Sequence, residues 1–475
     1  MVFSSLTFLL LFLPFFLAVY FIIPNMRAKN IVLLLFSLLF YGWGEPVWII
    51  CMLFVTAVNY FGTIAFASEE RNGFKKFILV LTVGLSLATL VWFKYASFLA
   101  NAILGLFGKT ILLPGIALPI GISFYTFQAI TYSVDVYRGV AAPQRNPLQL
   151  LLYVSCFPQL IAGPIVQYAD VEIQLAHRTV SMDDFSSGMR RFAVGLGKKV
   201  LLANLLGHAL KGLPMASGGA PQSTIGAWYG ILLFALQIYF DFSAYSDMAI
   251  GLGRVIGFSY RENFNFPYIA RSITDFWRRW HISIGTFFRE YVYIPLGGSR
   301  RSFGRTAINL MIVWGLTGLW HGASWNFLLW GLYYGILMIF ERRLFGKQTD
   351  KLPRAIGIVL TSLLVLFGWV LFYYTDLSAA WHHLLAMFGR NAQGSTLPWI
   401  DPATVHVIRQ YTVLPLIGCI LCLPLSQWLE RAFIGHSRHR QTAVLASTIL
   451  LTAVVLLSVL FLVSESYNPF IYFRF

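Results

Sequence analysis

Two histidines in this chain stand where chemistry is possible. His321 ends a long apolar run within "LTGLWHGASW" (316–325), flanked by Gly318, Trp320 and Gly322, and a further apolar run starts at Phe327. His281 follows two arginines and a tryptophan in "SITDFWRRWHIS" (272–283). Imidazole changes charge near neutral pH, and its neutral form is what a general base needs. A packing or capping role is the alternative for each. A third polar group lies in "YFDFSAYSDMAIGLG" (239–253), where Asp241 and Asp247 are six residues apart and so point to different sides of one helix. That spacing argues against a shared metal ion or a carboxylate pair. With Ser243, Tyr245 and Ser246 it fits either the wall of a hydrated cavity or structural capping.

The elements that must hold these groups are membrane helices. Of 475 residues, 58% are hydrophobic and only 11% charged, whereas a soluble domain carries about 25% charged residues. Apolar stretches fall near 7–23, 29–43, 47–66, 76–96, 112–134, 147–162, 190–207, 225–243, 306–321, 324–341, 355–374, 412–429 and 443–463. About 12 of these are long enough to cross a bilayer as helix. The stretch 147–162 is short, has basic residues on both sides, and reads as re-entrant. The first run lacks a basic leader and a small-residue cleavage site, so it is expected to stay as the first membrane helix. The expected fold is an all-α polytopic membrane protein, a single domain over 1–475, with re-entrant and interfacial helices around a central channel.

The net charge of +16 sits in loops. Arg27 and Lys29, Arg71 with Lys75 and Lys76, Arg342 to Arg354, and Arg431 to Arg440 occupy alternate connections, which the positive-inside rule assigns to the cytoplasm. Both chain ends then lie outside the cytoplasm, and the basic balance reflects the lipid bilayer and not nucleic acid. Cys51, Cys156, Cys419 and Cys422 all fall in apolar runs and read as packing residues.

Two polar interruptions differ in character. Residues 375–410 read as an external loop. Residues 258–305 alternate arginines with aromatics and read as a segment at the cytoplasmic face. Within it, Ser272 and Asp275 form a capping-box pattern, and Ile273, Trp277, Trp280 and Ile284 share one face of a helix. Residues 306–341 form a hairpin with its turn at Gly322–Asn326. At about 1.5 Å per residue, 306–321 climbs roughly 24 Å, short of the ~30 Å core, which leaves His321 below the outer surface. "FPQLIAGPIVQ" (157–167) carries Pro158, Gly163 and Pro164 and reads as a broken helix, tolerated where it lines a cavity or packs on protein.

"ENFNFPYIARSITDFWRRWHIS" (262–283) followed by "GLWHG" (318–322) resembles the membrane-bound O-acyltransferase family. The likeness is to its bacterial cell-envelope branch, typified by the membrane subunit of alginate O-acetyltransferase. "LPIGISFYTF", "FPQLIAGPIV", "YFDFSAYSDMAIGLG" and "YVYIPLGGSR" resemble that branch too. The resemblance implies acyl transfer from a cytoplasmic thioester to a hydroxyl on an extracytoplasmic polymer, in a bacterial inner membrane. It maps the catalytic histidine to His321 and the second to His281. Relatives often carry a histidine where Tyr334 stands in "WGLYYG" (330–335). The tail 464–475, expected outside the cytoplasm, ends in "FIYFRF", which resembles the end of a small partner protein in teichoic-acid D-alanylation. By that likeness Tyr472 is an acyl carrier; an aromatic interfacial anchor is the alternative.

The expected chemistry follows. Acetyl-CoA, or another acyl thioester, enters from the cytoplasm as donor substrate, with no tightly bound cofactor and no metal. Arg278 and Arg279, or Arg300 and Arg301, pair with its phosphates. His321 takes the proton of the attacking hydroxyl, while His281 assists or holds its segment in place. Trp320 and Asn326 are oxyanion candidates, and Asp241, Ser246 and Asp247 are channel-lining candidates. An SGNH-hydrolase-like extracytoplasmic acyltransferase and a polysaccharide acceptor are the partners the resemblance implies. D-alanyl transfer to teichoic acid is an alternative. A lipid or polysaccharide transporter and a non-enzymatic scaffold are the competing classes.

Overall fold

In lipid a backbone must satisfy its own polar groups, and the helix does this within one segment. Every named element among the described residues is helical, beside one isolated bridge between Arg390 and Thr396. A computed structural model describes residues 1–109, 118–161, 163–217, 219–345, 353–425, 440–464 and 471. Among them six helices are long and apolar enough to cross a membrane: Met26–Gly44, Ile49–Ala67, Asn72–Gly105, Thr224–Val255, Arg354–Tyr373 and Leu445–Ser464. The pair Pro402–Tyr411 and Val413–Leu421, bent by 63°, makes up to seven if taken as one span. The protein is a multi-pass, all-helical membrane protein.

The chain packs as two compact units, one of Met1–Phe192 with Tyr245–Glu262, the other of Ala193–Ala244 with Asn263–Phe475. The helix Thr224–Val255 contributes to both. In the first unit, Phe3, Phe8, Phe12, Phe16, Phe40 and Phe157 form a ring cluster with centroids 5.0–5.7 Å apart between neighbours. Such aromatic contacts add about 0.5–1.5 kcal/mol each beyond area burial. A buried polar seam ties Ile49–Ala67, Asn72–Gly105 and Ile122–Tyr137. Asn59 Nδ2 donates to Ser86 Oγ (2.8 Å), Ser133 Oγ donates to Asn59 Oδ1 (2.7 Å), and Thr63 and Ser133 hydroxyls meet at 3.0 Å.

The stretch expected to be re-entrant is two short helices, Pro147–Ser155 and Phe157–Leu160. Both are buried over most of their length, and the freed polar groups find protein partners: Phe157 N–H donates to Ser37 Oγ (3.1 Å) and Gln159 Nε2 to the Tyr153 carbonyl (2.6 Å). All four cysteines carry free thiols.

The second unit is built on the helix hairpin Phe303–His321 and Trp325–Phe345, with Arg354–Tyr373 packed against it. Its core is aromatic: Trp277, Trp314, Trp330 and Tyr334 stand with ring centroids 4.8–6.4 Å apart. Tyr334 is fully buried in this cluster.

Candidate active site

His321 is the last residue of its helix, and glycines decide where that helix runs. A Cβ on Gly318 would stand 2.2 Å from the Phe327 carbonyl oxygen, and one on Gly331 would stand 2.1 Å from the Trp314 carbonyl oxygen. The two glycines face each other across the hairpin, the small-residue contact that lets membrane helices approach closely. His321 is 5% exposed. Its ring packs against Trp320, Trp330 and Phe372 at centroid distances of 4.6, 4.8 and 5.1 Å.

The expected helix over 273–284 starts as the capping pattern predicts, with Ser272 Oγ accepting from Asp275 N–H at 3.0 Å. It does not continue. Ile273–Arg279 stops, His281 takes the left-handed conformation (φ 46), and a new helix runs from Ile282 to Phe288. The single apolar face expected across that stretch is therefore broken. The left-handed conformation costs about 1–2 kcal/mol for a residue with a Cβ, and Asn263 offsets it. The Asn263 carbonyl accepts Ile282 N–H (2.9 Å), while its Oδ1 accepts Ser283 N–H (3.1 Å) and Ser283 Oγ–H (2.9 Å).

Those donors identify Oδ1 as the amide oxygen, so His281 Nδ1, 3.1 Å away, must carry the proton. In the neutral ring Nε2 is then the acceptor. His281 is 1% exposed, and burial pushes its ring down to about 3, so it stays neutral in the working range. Its ring meets Phe242 at 4.6 Å and Trp320 at 5.4 Å. Trp320 thus packs on both imidazoles.

The two histidines line one cavity of about 400 Å³, with Arg278, Arg289, Thr317 and Trp277 among its walls. An apolar chamber of this size with a few convergent polar groups is the usual form of a small-molecule site. Of the expected donor-binding arginines, Arg278 lines it. Arg279 instead pairs with Asp275 (2.8 Å), and Arg300 and Arg301 are exposed and do not line it. Asn326 is also away from the cavity. Its Nδ2 donates to the Tyr374 and Leu371 carbonyls, and its Oδ1 accepts from Ser324, which closes the hairpin turn.

Asp241 is buried and paired with Lys199. Ser246 and Asp247 belong to the first unit, where Asp247 pairs with Arg191 at 2.9 Å. Tyr472 lies outside the described residues.

Sequence reasoning missed Asn263 and Arg289. Asn263 sits 18 residues before the histidine it holds, a separation no local period reports. Arg289 was one arginine among many. Its signal was its place one turn after Gly285, where the helix begun after His281 passes into the stretch Arg289–Tyr293. Glu341 was missed too: its Oε2 accepts Thr274 N–H (3.0 Å) and Oγ–H (2.9 Å), tying the interfacial helix to the hairpin.

Comparison with known proteins identifies the family. Residues 138–379 match the model of the MBOAT, membrane-bound O-acyltransferase family. A protein of Azotobacter vinelandii named "Probable alginate O-acetylase AlgI" is 40% identical over 506 residues, covering all of both chains. Its namesake in Pseudomonas aeruginosa is 43% identical over 394 residues, covering 82% of this chain and 75% of that one. The peptidoglycan O-acetyltransferase of Helicobacter pylori is 31% identical over 529 residues, covering 100% of this chain and 98% of its own. Transporter and scaffold readings fall with these likenesses. Two buried histidines line an arginine-edged chamber, and the chain that carries them, so matched, is an O-acyltransferase, a member of the membrane-bound O-acyltransferase family.

Proposed function

We propose that this enzyme moves an acetyl group from a cytoplasmic thioester, acetyl-CoA, to the outer side of a bacterial inner membrane, for O-acetylation of a polysaccharide or cell-wall polymer. The observation that carries the reading is the shared cavity of His281, His321, Arg278 and Arg289. The relatives named for alginate and peptidoglycan O-acetylation support a saccharide polymer as final acceptor. D-alanyl transfer to teichoic acid is the second reading. In this proposal the chain makes about 12 crossings, with both ends outside, and residues 258–305 at the cytoplasmic face receive the donor.

The step itself needs one base. Arg278 and Arg289 hold the donor phosphates. Neutral His321 takes the proton of the acceptor hydroxyl as its oxygen attacks the thioester carbonyl. The C–S bond breaks, a C–O bond forms, and the leaving thiolate takes up the proton from the imidazolium. His281 presents Nε2 with its ring fixed through Nδ1, and the Trp320 indole is the oxyanion donor. The acceptor is the Tyr472 phenol, whose ordinary pKa of about 10 requires such a base. Tyr472 then passes the acetyl group to an SGNH-hydrolase-like transferase outside. Direct attack by a sugar hydroxyl is the shorter route.

The test is thiol release from acetyl-CoA by protein in lipid nanodiscs. His321→Ala should lower the rate by about 10²–10⁴-fold, the range of general-base catalysis, with the variant still monodisperse. Undiminished turnover would remove His321 from the reaction.

A further inference from the structure

The last described residue is not at the surface. Ile471 is 7% exposed, and its backbone N–H donates to Asp241 Oδ2 at 2.8 Å. The other oxygen of Asp241 takes Lys199 Nζ at 2.6 Å, with side-chain exposures of 4% and 3% for Lys199 and Asp241. Three groups from distant parts of the chain thus meet out of water: a lysine, a carboxylate and one tail amide.

Burying an ion pair costs several kcal/mol per ion, and the cost is recovered only when remaining lone pairs are also bonded. Without the tail, Asp241 Oδ2 loses the bond it makes with Ile471. The pair is therefore weak as a fold stabiliser and well suited to hold a segment that brings its own N–H. Two further observations locate this contact. Lys199 lies on a π-helical stretch, Lys198–Asn204, a feature common at functional sites. A Cβ on the preceding Gly197 would lie 2.5 Å from Val454 Cγ1, so the final helix packs against the start of this stretch. One residue after Asp241, Phe242 packs edge-on against His281. The tail contact is one helix position from a side chain that touches a cavity histidine.

The geometry points to the Lys199–Asp241 pair as an internal docking post for the C-terminal segment, which fixes the register in which Tyr472 is offered to the acyl-transfer site. This rests on the carrier reading above. Both residues act by positioning, since neither contacts the reacting atoms. Recognition is through a backbone N–H, so it sets the register of the tail without reading the side chain at 471.

The experiment uses the full chain in nanodiscs with acetyl-CoA as the probe, and reads two quantities. One is hydrogen exchange of the C-terminal peptide by mass spectrometry; the other is acetyl occupancy of Tyr472. Lys199→Met/Asp241→Leu removes the pair at similar volume. Ile471→Pro removes the amide donor and leaves the pair intact, so it covers the case in which the double variant fails to fold; Ile471→Ala controls for the lost side chain. Ile471→Ala keeps the donor.

Expected is a protected tail in the parent and in Ile471→Ala. In the double variant and in Ile471→Pro, exchange should speed up and acetyl occupancy should fall by about 10- to 100-fold, the factor a hydrogen bond to a charged acceptor supplies. A parent tail that exchanges like free chain overturns the docking post. So does full acetylation of Tyr472 in both variants, which would leave the carrier reading standing. A protected parent tail released in both variants, with no acetyl on Tyr472 anywhere, supports the docking post and overturns the carrier reading.

Discussion

Gly331→Ala isolates what the hairpin does for His321. The added methyl would begin 2.1 Å from the Trp314 carbonyl oxygen and 3.0 Å from Gly318 Cα, both backbone and unable to rotate away. Real Cβ contacts essentially never fall below 3.0 Å, so the crossing must open by about 1 Å. His321 is three residues beyond Gly318 and on the same rigid helix, so it moves with that opening. A misplacement of about 1 Å costs on the order of 100-fold in rate, or about 2.7 kcal/mol of barrier. The expected result is a kcat near one hundredth of the parent's in the thiol-release assay, with donor KM changed far less. Gly315→Ala is the control on the same helix, because its Cβ meets only Leu332 and Leu328 side-chain carbons at 3.7 and 3.8 Å. It should stay within about threefold of the parent, below the cost of a 1 Å shift. Folded Gly331→Ala with parental kcat would show that the glycine crossing does not set the histidine's place.

Other outcomes follow from the same site. Arg278→Ala and Arg289→Ala should each raise the donor KM by about tenfold with kcat little changed, the mark of lost uniform binding, while Arg300→Ala should leave KM alone. A KM effect in Arg300→Ala alone would move the donor site. His281, outside the candidate spans, has its folded pKa held near 3, below the ordinary value of about 6.5. Above about 6.5 neither folded nor unfolded chain is protonated there; as pH falls toward 3 the unfolded chain binds a proton that the folded chain refuses, and stability drops. His281→Asn removes that contribution, so the Tm of the variant should gain on the parent's between pH 7 and pH 4. A pH-independent difference would contradict a buried neutral ring.

Much of the frame was legible because its signals are local. Apolar length, the Ser272 cap and the turn after His321 each report on residues close in the chain; the structure shows the cap and the turn, and six of the apolar stretches as helices long and apolar enough to cross. The break at His281 was not legible, since the apolar period of Ile273, Trp277, Trp280 and Ile284 runs through it undisturbed. What interrupts the helix is Asn263, a partner outside the window. Arginine roles failed to separate for a related reason: 258–305 is rich in them, and only packing tells Arg278 and Arg289 at the cavity from Arg279 on Asp275. The different directions of Asp241 and Asp247 were legible from helical spacing, but their partners were not. Lys199 and Arg191 stand 42 and 56 residues before them. Apolarity is a blunt guide here, because the hairpin helices, 19 and 21 residues long, have the length to cross but are too polar to count among the six apolar spans.

The buried seam of Asn59, Ser86, Ser133 and Thr63 has a consequence for how the chain is made. Asn59 Nδ2 and Ser86 Oγ also bond carbonyls of their own helices, but Asn59 Oδ1 takes its hydrogen bond from Ser133 on a third helix. A nascent chain delivers residue 59 well before residue 133. During that interval the early helices hold an uncovered amide oxygen, which disfavours their separating in lipid. Ile49–Ala67 and Asn72–Gly105 therefore gain from staying side by side until the Ile122–Tyr137 helix arrives to complete the set.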